Sequence, residues 1–411
     1  MTDTLRPDGF GADALIAQAD AHGARNYAPL PVVLSRGQGA FVWDVEGKRY
    51  TDCLSGYSAL NQGHCHPRIV EALVTQAHTL TLTSRAFHHD LLGAFLARLA
   101  AVTGFEKVLP MNSGAEAVET GLKAMRRWGY EVKGVPDGTA EIIVAENNFH
   151  GRTITAVSLS TDPSSYGHYG AHTPGFVKVP FGDIEAMARA MGPRTVGVLI
   201  EPIQGEAGVI LPPEGYLAKV RVLCRERGVV MCLDEVQTGL GRTGKMFGWQ
   251  HAGPEARPDA VLVGKALSGG MLPASALCAD GWLMDVFTPG THGSTYGGNP
   301  LACAVGLAAL DVLEDEQLPE RAAHLGERAL ARLRAGLEGH PRVKEIRGRG
   351  LMIAVQLTEP TAHARAVALA HEGVLAKDTH GHTLRVLPPL VIEEPDLDAA
   401  VDAVIRVIRA A

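Results

Sequence analysis

The sequence VVMCLDEVQ occupies residues 229–237, where the apolar run Val229–Asp234 ends in two carboxylates, Asp234 and Glu235. Three other apolar runs are similar in length and have polar or glycine boundaries: Glu141–Ala145, Val196–Glu201 and Ala260–Gly264. Each run has the length of a buried strand, and the segments between the runs are long enough for crossover helices. This alternation predicts an α/β fold with a mainly parallel sheet.

The two ends of the chain depart from that alternation. Residues 42–50 read VWDVEGKRY, which alternates around a Glu-Gly turn as a β-hairpin does. After residue 300, Ala/Leu-rich helices are predicted over 301–315 and 320–337, strands over 350–357 and 383–386, and a last helix over 396–410. We therefore expect a large domain over residues 61–300 and a smaller α+β domain formed by residues 1–60 and 301–411.

The overall composition excludes several classes of function. Lys and Arg number 38 against 45 Asp and Glu, so the net charge is −7 and nucleic acid is not an expected partner. The apolar runs fall far short of the ~18 residues that cross a bilayer, and residues 1–20 lack a targeting pattern. Six scattered cysteines do not form a disulfide framework. These features predict a cytoplasmic protein with reduced thiols.

Clustered histidines raise the alternative of a metal site. They occur as HCH at residues 64–66, HHD at 88–90 and HGH at 380–382. Adjacent ligands of this kind rarely converge on one tetrahedral site, and no Cys-x-x-Cys pair accompanies them. We expect no metal ion here.

In a parallel sheet, ligands collect beyond the carboxyl ends of the strands. Asp234 and Glu235 directly follow one predicted strand. Because alternate side chains of a strand point in opposite directions, only one of the two carboxylates can face a ligand, and the other is expected to be structural. A solvated strand end or a helix cap is the alternative.

Lys265 directly follows another predicted strand and lies within VGKALSGG, residues 263–270. Small neighbours indicate a buried position, and burial lowers the pKa of a lysine. The neutral amine that results can react with an aldehyde. The alternative is an ordinary surface lysine, so the interpretation depends on what surrounds it.

Two further stretches could bind an anion. Ser113-Gly114-Ala115 opens a helical pattern, and the free N–H groups of a helix N-terminus attract phosphate. Ser113 and Glu116 equally fit a plain capping box. The loop THGSTYGGNP at residues 291–300 could wrap another face of a phosphate or simply consist of turn residues.

Together the four places supply an anion cradle, a carboxylate, a buried amine and a hydroxyl-rich loop. Pyridoxal phosphate requires that set, because it carries a phosphate, a ring nitrogen and an aldehyde. Several of the 47 glycines in the chain fall in these same segments, where close approach of a ligand to the backbone favours glycine.

With these motifs in place, the sequence resembles the class III, fold-type I pyridoxal-phosphate aminotransferases from about residue 27 to residue 391. The resemblance is carried by residues 112–119, 148–153, 201–206, 233–242 and 264–265. Within the family, YSALNQGH at 57–64 and NYAPLP at 26–31 are most similar to the ornithine δ-aminotransferase branch. The resemblance implies a large domain with a seven-stranded type of sheet, and a homodimer or higher homo-oligomer.

The resemblance also implies roles for residues around the cofactor. Lys265 would hold pyridoxal phosphate and move a proton, and Asp234 would pair with the ring nitrogen. Gln237 would touch the phenolic oxygen. The phosphate and the ring face would be held by Ser113, Gly114, Ala115, Phe149 and, from the neighbouring subunit, Thr295.

For the amino acid and 2-oxo acid substrates, the resemblance implies two arginine sites. Arg152 and Tyr27 would hold the distant carboxylate of ornithine, and Tyr57 would shape its pocket. Arg385 would hold the α-carboxylate of glutamate, with Glu206 masking Arg385 while ornithine is bound. Planar, bidentate arginines suit carboxylates. The implied reaction moves the δ-amino group of L-ornithine to 2-oxoglutarate.

Three other functions are alternatives. N-acetylornithine or another ω-amino acid could be the donor with the same cofactor machinery. A non-catalytic cofactor-binding protein could share the scaffold, although Lys265 and Asp234 count against it. A nicotinamide dehydrogenase would need a Gly-x-Gly-x-x-Gly after a strand with a suitable acidic residue beyond it, which the sequence lacks.

Overall fold

A computed structural model of the protein describes residues 11–410. The N-terminal segment forms one helix and three antiparallel strands: α1 Ala12–His22, β1 Leu34–Gln38, β2 Phe41–Asp44 and β3 Arg49–Asp52. Asp44 Oδ1 accepts hydrogen bonds from the backbone N–H groups of Glu46 and Lys48, which holds the turn between β2 and β3. The predicted hairpin is confirmed.

The middle of the chain alternates strands and helices. Its elements are α2 Ser55–Ser58, α3 Pro67–Ala77, α4 Asp90–Thr103, β4 Lys107–Met111, α5 Gly114–Glu131, β5 Glu141–Ala145, α6 Ile154–Leu159, α7 Pro163–Tyr166, β6 Phe176–Val179, α8 Ile184–Ala190, β7 Thr195–Ile200, α9 Tyr216–Arg227, β8 Val230–Asp234, β9 Ala260–Val263, β10 Ser275–Ala279 and α10 Gly281–Met284. Short 3₁₀ helices occupy Gly248–Ala252, Pro254–Ala256 and Lys265–Ser268.

The strands of this middle region form one seven-stranded sheet in the order β4-β10-β9-β8-β7-β5-β6. Only β10 runs against the others, since it pairs antiparallel with both of its neighbours. Every residue of β7, β8 and β9 is buried, and apolar side chains cover both faces of the sheet. The predicted mainly parallel sheet is confirmed.

The C-terminal part contributes α11 Pro300–Asp315, α12 Leu318–Leu337, β11 Val343–Arg349, β12 Met352–Leu357, α13 Ala362–His371, β13 Val374–Leu375, β14 Lys377–Thr379, β15 Thr383–Val386 and α14 Glu394–Arg409. Four of its strands form a sheet in the order β11-β12-β15-β14. β13 instead joins β3 in parallel, which ties the two ends of the chain together. The division at residues 60 and 300 stays a prediction, and residues 1–10 of its first segment lie outside the described residues.

No helix between residues 11 and 410 combines the length and the apolar character needed to cross a membrane. All six cysteines are free thiols, and five of them are buried. The core therefore depends on apolar packing and not on covalent cross-links.

Candidate active site

A cavity of about 200 Å³ opens at the carboxyl edge of the seven-stranded sheet. Asp234 at the end of β8, Lys265 just after β9 and Phe149 after β5 all line it, together with Gly114 at the start of α5. Parallel strands bring their carboxyl ends to one edge, so residues far apart in sequence converge there. The structure thus brings together four of the residues that the sequence analysis singled out.

Asp234 lies in the wall of this cavity and is held by two hydrogen bonds. His150 Nδ1 lies 2.7 Å from its Oδ2, and the Val236 N–H donates to its Oδ1 at 3.0 Å. Burial alone would lower the pKa of His150, but the hydrogen bond and the charge of Asp234 outweigh burial and raise that pKa. The pair therefore favours a protonated imidazole beside an ionised carboxylate.

Glu235 points away from the cavity, as the alternation of strand side chains predicts. Its carboxylate accepts hydrogen bonds from the N–H groups of Gly248 and Trp249 and from the hydroxyl of Thr238. Asp234 is therefore the carboxylate that faces the cavity, and Glu235 is bound within the fold.

Lys265 presents its amine to the cavity from the first residue of a 3₁₀ helix. Burial lowers the pKa of this lysine, although the nearby charges of Glu206 and Asp234 oppose that shift. Its φ of 46° lies in the left-handed region, which is uncommon for a residue with a side chain and typical of functional sites.

Glu201 is a buried acid on the same cavity that sequence reasoning did not single out. Burial raises the pKa of its carboxyl to about 8, so the neutral form prevails at pH 7. Its Oε2 accepts the Phe149 N–H at 3.1 Å. The sequence signal that could have identified Glu201 was its position at the end of the run Val196–Glu201, which is apolar up to that residue. Sequence reasoning did not single out His150 either, although this histidine lies within the motif at residues 148–153.

The N-terminus of α5 points into the cavity through Gly114 and Ala115. Ser113 caps this helix: its hydroxyl accepts the Glu116 N–H, and the Glu116 carboxylate accepts the Ser113 N–H. The capping box is therefore present and Ser113 itself is exposed. In the described part of the chain, the N–H groups of Gly114 and Ala115 have no protein acceptor, so they remain open to an anion.

Gly151 and Gly205 occupy positions where a side chain would collide with residues that line the cavity. Gly151 has a φ of 122°, and a Cβ there would lie 2.9 Å from the Cβ of Ala115. At Gly205 a Cβ would lie 1.5 Å from Gln237 Oε1, so any side chain would displace that amide. The Nε2 atom of His150 is also buried without a hydrogen-bond partner among the described residues. Together with the open N–H groups of α5, these features fit a flat ring that carries an anionic group.

A buried ion pair closes one side of the cavity. Arg385 Nη1 donates to Glu206 Oε1 at 2.7 Å, and the guanidinium lies 5.4 Å from the centre of the Tyr57 ring. Burial would raise the pKa of Glu206, but the charges of Arg385 and Lys265 hold it below its usual value. Gln237 Nε2 also donates to Glu206 Oε1, at 3.3 Å. These four predicted residues form one cluster.

Arg152 lies on the outer side of Phe149, with its guanidinium 5.4 Å from the ring centre. Its Nη1 donates to Ser165 Oγ at 3.1 Å. Arg152 lines a second cavity and does not line the cavity at the sheet edge, whereas Phe149 lines both.

Tyr27 and Thr295 are among the predicted residues that do not line the cavity of this chain. Tyr27 is 78 % exposed, and Thr295 is exposed on the loop before α11. The exposed position of Thr295 is compatible with its expected role, which is to hold the phosphate in the neighbouring subunit. Both roles stay predictions.

The histidine clusters have other partners. His64 pairs with Asp52 at 2.8 Å, His66 with Glu316 at 2.9 Å, and His89 with the carbonyl of Gly298 at 2.8 Å. Within residues 11–410, no group of three or more His, Cys, Asp and Glu side chains is arranged to hold a metal ion.

Comparison with known proteins supports this interpretation of the site. The chain is 58% identical over 383 residues to the ornithine aminotransferase of Bordetella pertussis, across 93% of this chain and 92% of that protein. A solved structure of the Toxoplasma gondii ornithine aminotransferase, described with partial occupancy of PLP at its active site, has a TM-score of 0.95 and 45% identity. That match covers 97% of this chain and 94% of the other.

An acetylornithine aminotransferase from Elizabethkingia anophelis is also similar, with a TM-score of 0.89 and 47% identity across 97% of this chain and 99% of that one. The expected fold-type I arrangement is confirmed by these structures. The family model for Aminotransferase class-III matches residues 22–408. The chain therefore belongs to the class III aminotransferases.

Proposed function

We propose that the protein is an ornithine aminotransferase, which transfers the δ-amino group of L-ornithine to 2-oxoglutarate and yields glutamate 5-semialdehyde and glutamate. The observation that carries this proposal is the Glu206–Arg385 ion pair beside Lys265. An enzyme that alternates between a donor with a terminal ammonium group and an acceptor with two carboxylates needs an arginine that can be neutralised for one and released for the other.

Pyridoxal phosphate, when bound, supplies the aldehyde and the electron-withdrawing ring that amino-group transfer requires. Lys265 Nζ would hold it and then move the proton at the reacting carbon. Asp234, supported by His150, would keep the ring nitrogen protonated. The phosphate would lie on the open N–H groups of Gly114 and Ala115, next to Ser113. Phe149 would cover the ring, and Gln237 would donate to its phenolic oxygen.

In the donor half of the reaction, Glu206 neutralises Arg385, so the wall near Lys265 carries no free cation to repel the δ-ammonium group of ornithine. Tyr57 packs against the Arg385 guanidinium and limits the space for the donor chain. Arg152, together with Tyr27, would hold the distant carboxylate.

In the acceptor half, Arg385 would exchange Glu206 for the α-carboxylate of 2-oxoglutarate. Because the side chain of Glu206 is 25% exposed and that of Arg385 is 2% exposed, the carboxylate is the partner that can move. Arg152 would bind the second carboxylate of the acceptor, because that carboxylate, like the carboxylate of ornithine, lies at the end of the substrate remote from the reacting carbon.

N-acetylornithine is the second donor to consider, since the similarity to the acetylornithine aminotransferase covers nearly the whole chain. A label experiment tests the proposed regiochemistry. Ornithine carrying ¹⁵N only on the δ-nitrogen should pass its label to glutamate, and ornithine labelled only on the α-nitrogen should not. Label arriving from the α-nitrogen would contradict the proposal.

We also infer that the enzyme is a cytoplasmic homodimer that serves proline synthesis or arginine breakdown. Six free cysteines favour a reducing compartment. Exposed Tyr296 and Phe87, at 57 % and 71 %, support a partner subunit near Thr295, which would complete the phosphate site. Sedimentation of the purified protein tests this: a monomer of undiminished activity would overturn the dimer.

A further inference from the structure

A second cavity, of about 140 Å³, adjoins the one at the sheet edge. Phe149 and Glu206 line both cavities, so the two are neighbouring compartments of one site. The second compartment is lined in addition by Arg152, Asp162 and Ser165. It lies on the side of Phe149 away from Lys265, where the far end of a donor chain would reach.

A relay of hydrogen bonds runs through this compartment. Arg152 Nη1 donates to Ser165 Oγ at 3.1 Å, and Ser165 Oγ donates to Asp162 Oδ2 at 3.1 Å. Ser165 is only 6 % exposed, so the relay is shielded from bulk water on that side. The Ser165 hydroxyl therefore lies between the Arg152 guanidinium and the Asp162 carboxylate, and both charged residues line the cavity.

The Asp162 carboxylate has room for one more donor. Three protons reach it: the N–H of Ser164 at 2.9 Å, the hydroxyl of Ser164 shared between both oxygens, and the hydroxyl of Ser165. Two carboxylate oxygens offer about four lone-pair sites, so one acceptor site is left. Burial would raise the pKa of Asp162, but these hydrogen bonds lower it, and the group is therefore ionised at neutral pH.

The charges of the compartment match those of a free amino acid. Arg152 presents a positive charge and Asp162 a negative one, while Glu206 is already neutralised by Arg385. His380 also lines the compartment. An α-carboxylate and an α-ammonium group on one carbon require a cation and an anion at close range.

We propose that Asp162 determines donor specificity by accepting a hydrogen bond from the α-ammonium group, so that the compartment selects a free α-amino acid over an N-acylated one. This inference rests on the proposed ornithine aminotransferase function and adds a residue that discriminates between the two donors considered above. Acetylation would remove the charge and place an acyl group where Asp162 offers only an acceptor.

The test compares ornithine with 5-aminopentanoate, which has the same chain and carboxylate but no α-ammonium group. Single-turnover kcat/KM is measured for both donors with the holoenzyme. Asp162→Asn should lower the value for ornithine by about tenfold or more and leave that for 5-aminopentanoate within about twofold. Ser165→Ala should lower both, since Arg152 loses its partner in each case.

Asp183→Asn is the matched control, because Asp183 caps α8 as Asp162 caps α7 and lines neither cavity. It should leave both donors unchanged. Asp162→Ser keeps a capping side chain without the charge, and it replaces Asp162→Asn if that variant fails to fold.

Equal loss with both donors, or no loss with either, would overturn the role of Asp162. If instead the wild-type enzyme fails to react with ornithine at all, the proposed function fails, and the inference fails with it. The reaction of the wild-type enzyme with ornithine therefore distinguishes a failure of the proposed function from a failure of the role of Asp162.

Discussion

Glu206 and Arg385 are joined by an ion pair of 2.7 Å, and Glu206 lines the same cavity as Lys265. The guanidinium is almost fully buried, and the Glu206 carboxylate reaches it from a loop. An unpaired buried guanidinium is costly, so the pair persists until another carboxylate replaces Glu206. The two halves of the proposed reaction therefore use one arginine in two states.

Removing the charge of Glu206 tests this switch. Glu206→Gln should lower kcat/KM for ornithine by about tenfold or more, because Arg385 is left as a free cation beside the δ-ammonium group. The glutamate half-reaction should be retained or faster, since no carboxylate competes for Arg385. Rapid-mixing measurements of the two half-reactions give both values. An equal loss in both halves would contradict the switch.

Lys265→Ala should lower turnover at least about a thousandfold. Because burial lowers the pKa of Lys265 from 10.5, the lysine costs the folded apoenzyme stability as the pH falls below 10.5, and the cost is full below the lowered pKa. Near pH 7 the apoenzyme of the variant should therefore be at least as stable as the wild type in urea. Normal turnover in a folded variant would contradict the role of this lysine.

His150 contributes stability that depends on pH. Since its folded pKa is raised above the ordinary 6.5, the stabilisation is full below that value and is lost as the pH rises through the folded pKa. The difference in unfolding free energy between the wild-type apoenzyme and His150→Asn should shrink as the pH increases. The variant should also bind pyridoxal phosphate more weakly, as fluorescence titration would show. A difference that grows with pH would count against the His150–Asp234 pair.

Glu201 also makes the stability fall as the pH rises, but through a cost that grows rather than a stabilisation that is lost. A carboxyl whose pKa is raised from 4.5 to about 8 costs no stability below pH 4.5, and its cost grows as the pH rises to about 8. The apoenzyme of Glu201→Gln should therefore gain stability relative to the wild type across that interval. The variant should keep its activity near pH 7, because an amide oxygen also accepts the Phe149 N–H. Inactivity with intact cofactor binding would show that the ionised form is needed.

The strongest strands were predictable because burial on both faces leaves continuous apolar runs. Glu141–Ala145 matches β5 at both ends, and the run over residues 229–234 differs from β8 by one residue. β4 was missed because Lys107 and Pro110 interrupt its pattern, and proline is tolerated there since β4 is an edge strand. The sequence of β10 does not indicate that this strand runs antiparallel, because its direction depends on the path of the chain between β9 and β10.

The site was predictable where chemistry coincides with a strand end. Asp234 and Lys265 directly follow buried runs, and the opposite orientation of Glu235 follows from strand geometry. The contacts of His150 and Glu201 join segments distant in sequence, and the relay from Arg152 to Asp162 depends on how the chain folds locally around α7. Spacing alone does not predict such contacts. The roles of Tyr27 and Thr295 depend on residues beyond a single chain's cavity, and they stay predictions.

The most direct test mixes the purified pyridoxal-phosphate form of the enzyme with L-ornithine or with N-acetylornithine and follows the loss of the cofactor's visible absorbance. We predict a kcat/KM for ornithine that is about tenfold or more above that for N-acetylornithine, because Arg152 and Asp162 together fit a free amino acid. Equal values, or a higher value for N-acetylornithine, would contradict the proposed function.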